Sequence, residues 1–159
     1  MTDNVNVIRD GFFAPDFALS STDGRVVSLK DFISDNFLAL CFFSGRDSNR
    51  IKSILSELNK GLPRTLYDYD VRVVAISPDK INKLTNLKNE LGLDFPLLSD
   101  TRLDVCNLYY IMDTKKKAPF VHFSIFVIDN EGIIRQRAIE TPENEFRMDK
   151  FKEEISKLI

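Results

Sequence analysis

Two thiols, one imidazole and a short polar loop with two arginines are the parts of this chain that could do chemistry. The thiols are Cys41 and Cys106, the imidazole is His122, and the loop is Gly45-Arg46-Asp47-Ser48-Asn49-Arg50. A thiolate is a nucleophile and a redox centre, but only where its surroundings lower its pKa. Cys41 lies inside the run Phe37-Leu38-Ala39-Leu40-Cys41-Phe42-Phe43, where burial raises it instead. Cys106 falls on a predicted helix, on one stripe with Leu103 and Tyr110, and reads as a packing residue. The two are far apart and in no paired motif, so they suggest no disulfide framework. A bridge between them would need Cα atoms within about 7 Å. His122 has no activated Ser or Cys to serve and reads as locally hydrogen-bonded. With 1 His and 2 isolated Cys the chain offers no zinc site, and no cofactor is expected.

The polar loop follows an apolar strand and precedes a helix. Ligands bind at that edge of open α/β sheets. Backbone donors at a helix start suit an anion, and Arg46 and Arg50 could add bidentate contacts. The plainer reading is a solvated loop with Ser48 or Asn49 as the helix cap.

These residues need elements to position them. Asp23-Gly24 marks a hairpin between Phe17–Ser20 and Val26–Leu29. Lys30-Asp31-Phe32 reads as a short helical turn. The apolar run from Phe37 to Phe43 predicts a strand buried on both faces, as in a parallel sheet covered by helices. Asn49 to Asn59 predicts a helix with Ile51, Ile54, Leu55 and Leu58 on one face. Val71–Ser77 is the next buried strand, and a helix follows from Pro78-Asp79 to Gly92 with Ile81, Leu84, Leu87 and Leu91 apolar. Phe95–Leu98 is a short extended piece, at an edge or a strand start because of Pro96. Asp100 caps a helix running to about Tyr110. Ser124–Ile128 and Ile133–Ala138 form a hairpin, and Thr141-Pro142 opens a last helix with Met148, Phe151, Ile155 and Leu158 along one stripe. This order predicts a single α/β domain over 1–159, with a mixed central sheet, helices on both faces and an N-terminal hairpin.

Composition limits the partners. The 159 residues are 43% hydrophobic and 29% charged, ordinary for a soluble domain, with net charge -2. No global basic field attracts nucleic acid, and no apolar stretch approaches the roughly 20 residues of a membrane span. Lys115-Lys116-Lys117 is the only dense basic run and reads as a solvated loop. The polar start Met1–Asn6 carries no signal-peptide pattern, and two unpaired cysteines fit a reducing cytoplasm.

Four segments together resemble the peroxiredoxins, the alkyl hydroperoxide reductase and thiol-specific antioxidant family. They are Ala14-Pro15-Asp16-Phe17 with Asp23-Gly24 and Leu29–Phe32, then Val73–Ser77, then Gly92–Asp100, which is similar to bacterioferritin-comigratory-type members, and finally Phe126–Ile134. Their order and spacing span nearly the whole chain. The resemblance implies a thioredoxin-like three-layer fold and a thiol peroxidase with a P-x-x-x-[TS]-x-x-C loop and an arginine three residues before the late strand's Phe. Laid on the end of the Phe37–Phe43 strand, the loop pattern falls on Ser44, Ser48 and Ile51, and the arginine position on Phe123. Counting from Ala14-Pro15 instead allows Arg50 as the nucleophile position. A thioredoxin-type C-x-x-C would fall on Asp47–Arg50. No cysteine lies anywhere from Phe42 to Val105. The expectation is therefore a peroxiredoxin-like chain with a degenerate site and a binding or regulatory role. The alternative is a divergent thiol peroxidase working through Cys41 or Cys106. Family members often self-associate, so a homodimer is expected, with a small anion or a protein partner at the Gly45–Arg50 loop.

Overall fold

The apolar run from Phe37 becomes β3, Phe37–Phe42, and every residue in it is buried. A strand can be apolar on both sides only if both faces of its sheet are covered. β3 pairs in parallel with β4 (Val71–Ser77) and antiparallel with β8 (Ser124–Ile128). Beyond β4 lies β5 (Leu97–Ser99), again parallel. Beyond β5 the hairpin of β1 (Ala18–Ser21) and β2 (Val26–Ser28) completes one side, and β9 (Ile134–Ile139) completes the other. The seven-stranded order is β2-β1-β5-β4-β3-β8-β9. The computed structural model describes residues 8–44, 48–113 and 120–159, so Met1–Asn6, Gly45, Arg46, Asp47 and Lys115–Lys117 lie outside the described residues.

Period-two alternation sends the strand residues to two cores. Phe37, Ala39, Cys41 and Phe43 join one face, with Leu55 and Leu58 of α1 (Ser48–Asn59), Leu84 of α2 (Ile81–Leu91), and Phe151 and Ile155 of α4 (Met148–Ile155). Leu38, Leu40 and Phe42 join the other, with Val105 and Cys106 of α3 (Asp104–Leu108), Tyr109 and the 3-10 turn Leu29–Asp31. Burying one leucine such as Leu55 contributes about 1.5–3 kcal/mol, so α1 is held mainly by this face. Gly92 ends α2 in the left-handed conformation, φ +63°, where a residue without Cβ carries no steric penalty.

Several boundaries differ from the sequence pattern, most of them at the helices. The helix expected from Thr141-Pro142 starts only at Met148. Thr141 and Asn144 instead exchange backbone hydrogen bonds in a tight turn, and Glu140 takes the Phe146 N–H at 3.0 Å. The helix expected from Asp100 to Tyr110 shrinks to Asp104–Leu108, because Leu103 (φ +65°) and Tyr110 (φ +57°) are left-handed and break it at both ends. Ser48 is the first residue of α1 rather than its cap. A small ribbon of β6 (Met112–Asp113) and β7 (Phe120–Val121) was not expected; two-residue strands carry no periodicity to read.

Candidate functional site

β3 delivers the chain to the carboxyl edge of the sheet. Phe43 donates its N–H to Ile76 O at 3.1 Å, and buried Ser44 follows. α1 then begins at Ser48, which puts Ile51 in its first turn. Ile51 is 6% exposed and belongs to the apolar cluster that holds Phe43, Leu84 and Phe123. Phe123, immediately before β8, is 3% exposed and stands edge-on to Phe146, ring centroids 4.9 Å apart. Phe146 in turn packs on Phe151 at 5.6 Å. So the positions to which the resemblance assigns the nucleophile and the arginine share one hydrophobic cluster. Both are filled by side chains that complete it.

Arg50 is occupied. Its Nη1 donates to Glu140 Oε1 at 2.9 Å, and its Nη2 pairs with Glu140 Oε2. Both side chains are partly buried. The Glu140 carboxylate also accepts the Phe146 N–H, and its own N–H donates to Phe123 O at 2.9 Å. Glu140 thus joins the first turn of α1 to the segment before β8 and to the approach to α4. Sequence reasoning missed this residue. Its only signal was an acid just past the last strand, with nothing in the spacing to link it to Arg50.

The thiols lie elsewhere, and the sheet separates them. Cys41 faces the α1 side and Cys106 the α3 side, both fully buried. No bridge joins two residues on opposite faces of an intact sheet. Burial pushes the Cys41 thiol far above its ordinary value. Cys106 is pushed up by burial first, then by Asp100, whose carboxylate accepts the thiol's hydrogen bond and repels the thiolate. The predicted stripe of Leu103, Cys106 and Tyr110 does not form: Tyr110 is half exposed, and Cys106 packs with Val105 and Tyr109 instead. His122 Nε2 lies 3.7 Å from Asp113 Oδ2, the His122 backbone N–H donates to Ile111 O at 2.8 Å, and the ring meets Phe120. It approaches neither thiol in any of these contacts. Among the described residues no group of three His, Cys, Asp or Glu could hold a metal ion. No helix among them is long and apolar enough to cross a membrane.

Two hollows adjoin the site. One, of about 230 Å³, opens between α1 and α2 beside Ile51. A larger one, of about 530 Å³, runs between β9 and α4; its Arg137 is taken by Asp10 and its Arg147 by Asp149.

A parallel core of β3, β4 and β5 flanked by antiparallel strands, with helices on both faces and a loop-to-helix junction after β3, is a thioredoxin-like peroxiredoxin architecture. The crystal structure of a cysteine-to-serine mutant of Xylella fastidiosa PrxQ has the same fold, at TM-score 0.76 and 18% identity over 93% of this chain and 92% of that one. BcpB of Mycobacterium tuberculosis matches at TM-score 0.76 and 22% identity, over 93% of this chain and 94% of that one. In sequence, Peroxiredoxin Bcp of Escherichia coli K12 is 29% identical over 140 residues, 82% of this chain and 85% of that protein. The AhpC/TSA family model matches residues 11–137. The chain belongs to the AhpC/TSA family, the peroxiredoxins.

Proposed function

We propose that this chain uses the peroxiredoxin fold for binding or regulation and not for thiol-dependent peroxide reduction. The observation that carries the reading is Ile51, a buried aliphatic side chain in the first turn of α1. The family chemistry needs a thiolate there, stabilised by the helix start, and isoleucine cannot be oxidised to a sulfenic acid. Phe123 supports the same reading, because an apolar ring replaces the cation that would polarise a peroxide. On this reading a partner meets the first turn of α1 at Arg50, and an anionic group there competes with Glu140 for the guanidinium. Two unpaired buried thiols suit a reducing compartment such as the cytoplasm.

Family membership favours a second reading, a divergent thiol peroxidase working through Cys41 or Cys106. The burial of both thiols and their raised pKa weigh against it. Peroxide consumption with thioredoxin or a dithiol as reductant separates the two. No turnover is expected. Turnover that disappears in Cys41→Ser or Cys106→Ser would establish the second reading. The Ile51→Cys variant is expected to present a thiol that alkylates faster than Cys41 across pH 7–9. Equal rates would show that the loop pattern has been laid on the wrong residue.

A further inference from the structure

β9 is the last strand on its side of the sheet, and its outer edge is only partly covered. Antiparallel neighbours exchange backbone hydrogen bonds at every second residue, so on an edge strand the residues in between turn their N–H and C=O groups outward. The Glu140 N–H donates to Phe123 O, which fixes the phase: the backbone groups of Gln136 and Ala138 point to β8, and those of Arg137 and Ile139 point away. The edge is already held on either side of these two. Ile134 O accepts the Gly11 N–H at 2.7 Å, and the Ile134 N–H donates to Phe12 O at 2.9 Å. Thr141 and Asn144 exchange backbone hydrogen bonds at 3.1 Å. Between them, nothing among the described residues pairs with the backbone N–H and C=O groups of Arg137 and Ile139.

The hollow of about 530 Å³ lies along this gap. Arg137, Ala138 and Ile139 all line it. Successive strand residues send their side chains to opposite faces, so three in a row line one space only along the strand's edge. The opposite wall is α4 and the approach to it, with Phe146 and Phe151. An exposed sheet edge takes an extended peptide as one more strand: main-chain hydrogen bonds hold it, and alternate side chains enter the groove. We infer that this groove binds a short extended peptide, hydrogen-bonded to the backbone of Arg137 and Ile139, with apolar side chains on the face turned to Phe146 and Phe151. A guest of about five residues, roughly 17 Å of extended chain, spans the gap. It carries no proline where an N–H must be donated. A second copy of β9 would bring its own flanking segments against Gly11, Phe12 and Asn144, which already hold the edge at Ile134 and Thr141, so the gap favours a short free segment. The edge is separate from the Arg50–Glu140 pair and takes a peptide whether or not the chain reduces peroxide.

The test is an amide-resolved NMR titration of the full chain with the blocked peptide acetyl-Thr-Val-Thr-Val-Thr-amide, whose valines share one face. Saturable shifts of the Arg137 and Ile139 amide signals are expected, with hydrogen exchange at both N–H groups slowed at least tenfold at saturation. The same peptide N-methylated at every residue keeps its side chains and loses its donors, and should bind at least tenfold more weakly. Ile139→Pro removes one outward N–H at an edge position, where proline is tolerated, and should weaken the unmodified peptide at least tenfold. Ile139→Val keeps that N–H and should bind as the parent chain does. Absence of saturable shifts, equal binding of the N-methylated peptide, or a loss in Ile139→Val as large as in Ile139→Pro overturns the inference. So does a dimer in sedimentation whose formation shifts the same amides without peptide, which would give the edge to a second copy. The two peptides need no variant, so they decide even if Ile139→Pro does not fold.

Discussion

α1 and α3 both begin past the carboxyl ends of parallel strands, and they handle charge in opposite ways. At α3 the Asp100 carboxylate accepts the N–H groups of Val105 at 3.3 Å and Cys106 at 2.8 Å. At α1 a cation, Arg50, stands in the first turn, and the carboxylate that balances it is Glu140, 90 residues away in the chain. A helix start carries roughly half a positive charge, so it favours an acid and disfavours an arginine. α3 answers this locally and α1 answers it through tertiary structure. The contrast bears directly on the thiols. Cys106 sits at a helix start, the place that activates cysteines, yet Asp100 has already taken the free N–H groups there and raises the thiol further. α1 has a comparable helix start and no sulfur. Position at a helix start is therefore insufficient; the N–H groups must be unclaimed.

The strongest way to break the comparison is Phe123→Arg. A guanidinium placed in the cluster beside Ile51 has no carboxylate to meet, because Glu140 is held by Arg50. An uncompensated buried charge is expected to lower stability by about 3–5 kcal/mol in urea unfolding. A loss under about 1 kcal/mol would mean that the α1 start still accommodates an arginine, on the scale of ordinary surface substitutions.

Alkaline unfolding tests the thiols. Both have folded pKa values raised by burial, while the unfolded chain ionises its thiols near pH 8.5. Above that pH the unfolded state binds fewer protons than the folded one, so stability falls as pH rises. The expected slope is about 1.4 kcal/mol per pH unit per thiol, and the contribution is complete below pH 8.5. Cys41→Ala should halve the slope between pH 8.5 and 9.5. A flat profile in the parent chain would contradict the buried neutral thiols.

Asp100→Ala sharpens the comparison at α3. Removing the cap is expected to cost about 1–2 kcal/mol. It should also speed Cys106 alkylation relative to Cys41, since the repelling carboxylate is gone. An unchanged Cys106 rate would assign its inertness to burial alone. The smallest effect belongs to Arg50 and Glu140. A double-mutant cycle with Arg50→Ala and Glu140→Ala should give a coupling of about 0.5–1 kcal/mol, modest because both groups keep some solvent contact. Zero coupling would remove the electrostatic account of the α1 start.

Much of the architecture was legible because apolar period and length carry it. Val71–Ser77 and Ser124–Ile128 match their predicted spans, and β3 differs by one residue. What escaped was decided by single side chains folding back on backbone N–H groups five or six residues along the chain. Asp100 folds back on Val105 and Cys106 and shortens α3; Glu140 claims the Phe146 N–H and delays α4. Neither leaves a periodic trace. That no cysteine lies between Phe42 and Val105 was legible from the sequence alone. The shared packing of Ile51 and Phe123, and the capture of Arg50, needed the third dimension.

The placement of Cys41 and Cys106 on opposite faces also shapes how the chain reaches its fold. In the unfolded chain nothing keeps the two sulfurs apart. An oxidant acting before the sheet closes can therefore link them into a covalent loop through which β3 and α3 cannot reach their separate cores. Completed pairing of β3 with β4 and β8 forbids that link. Once the sheet has closed, the two thiols are beyond each other's reach.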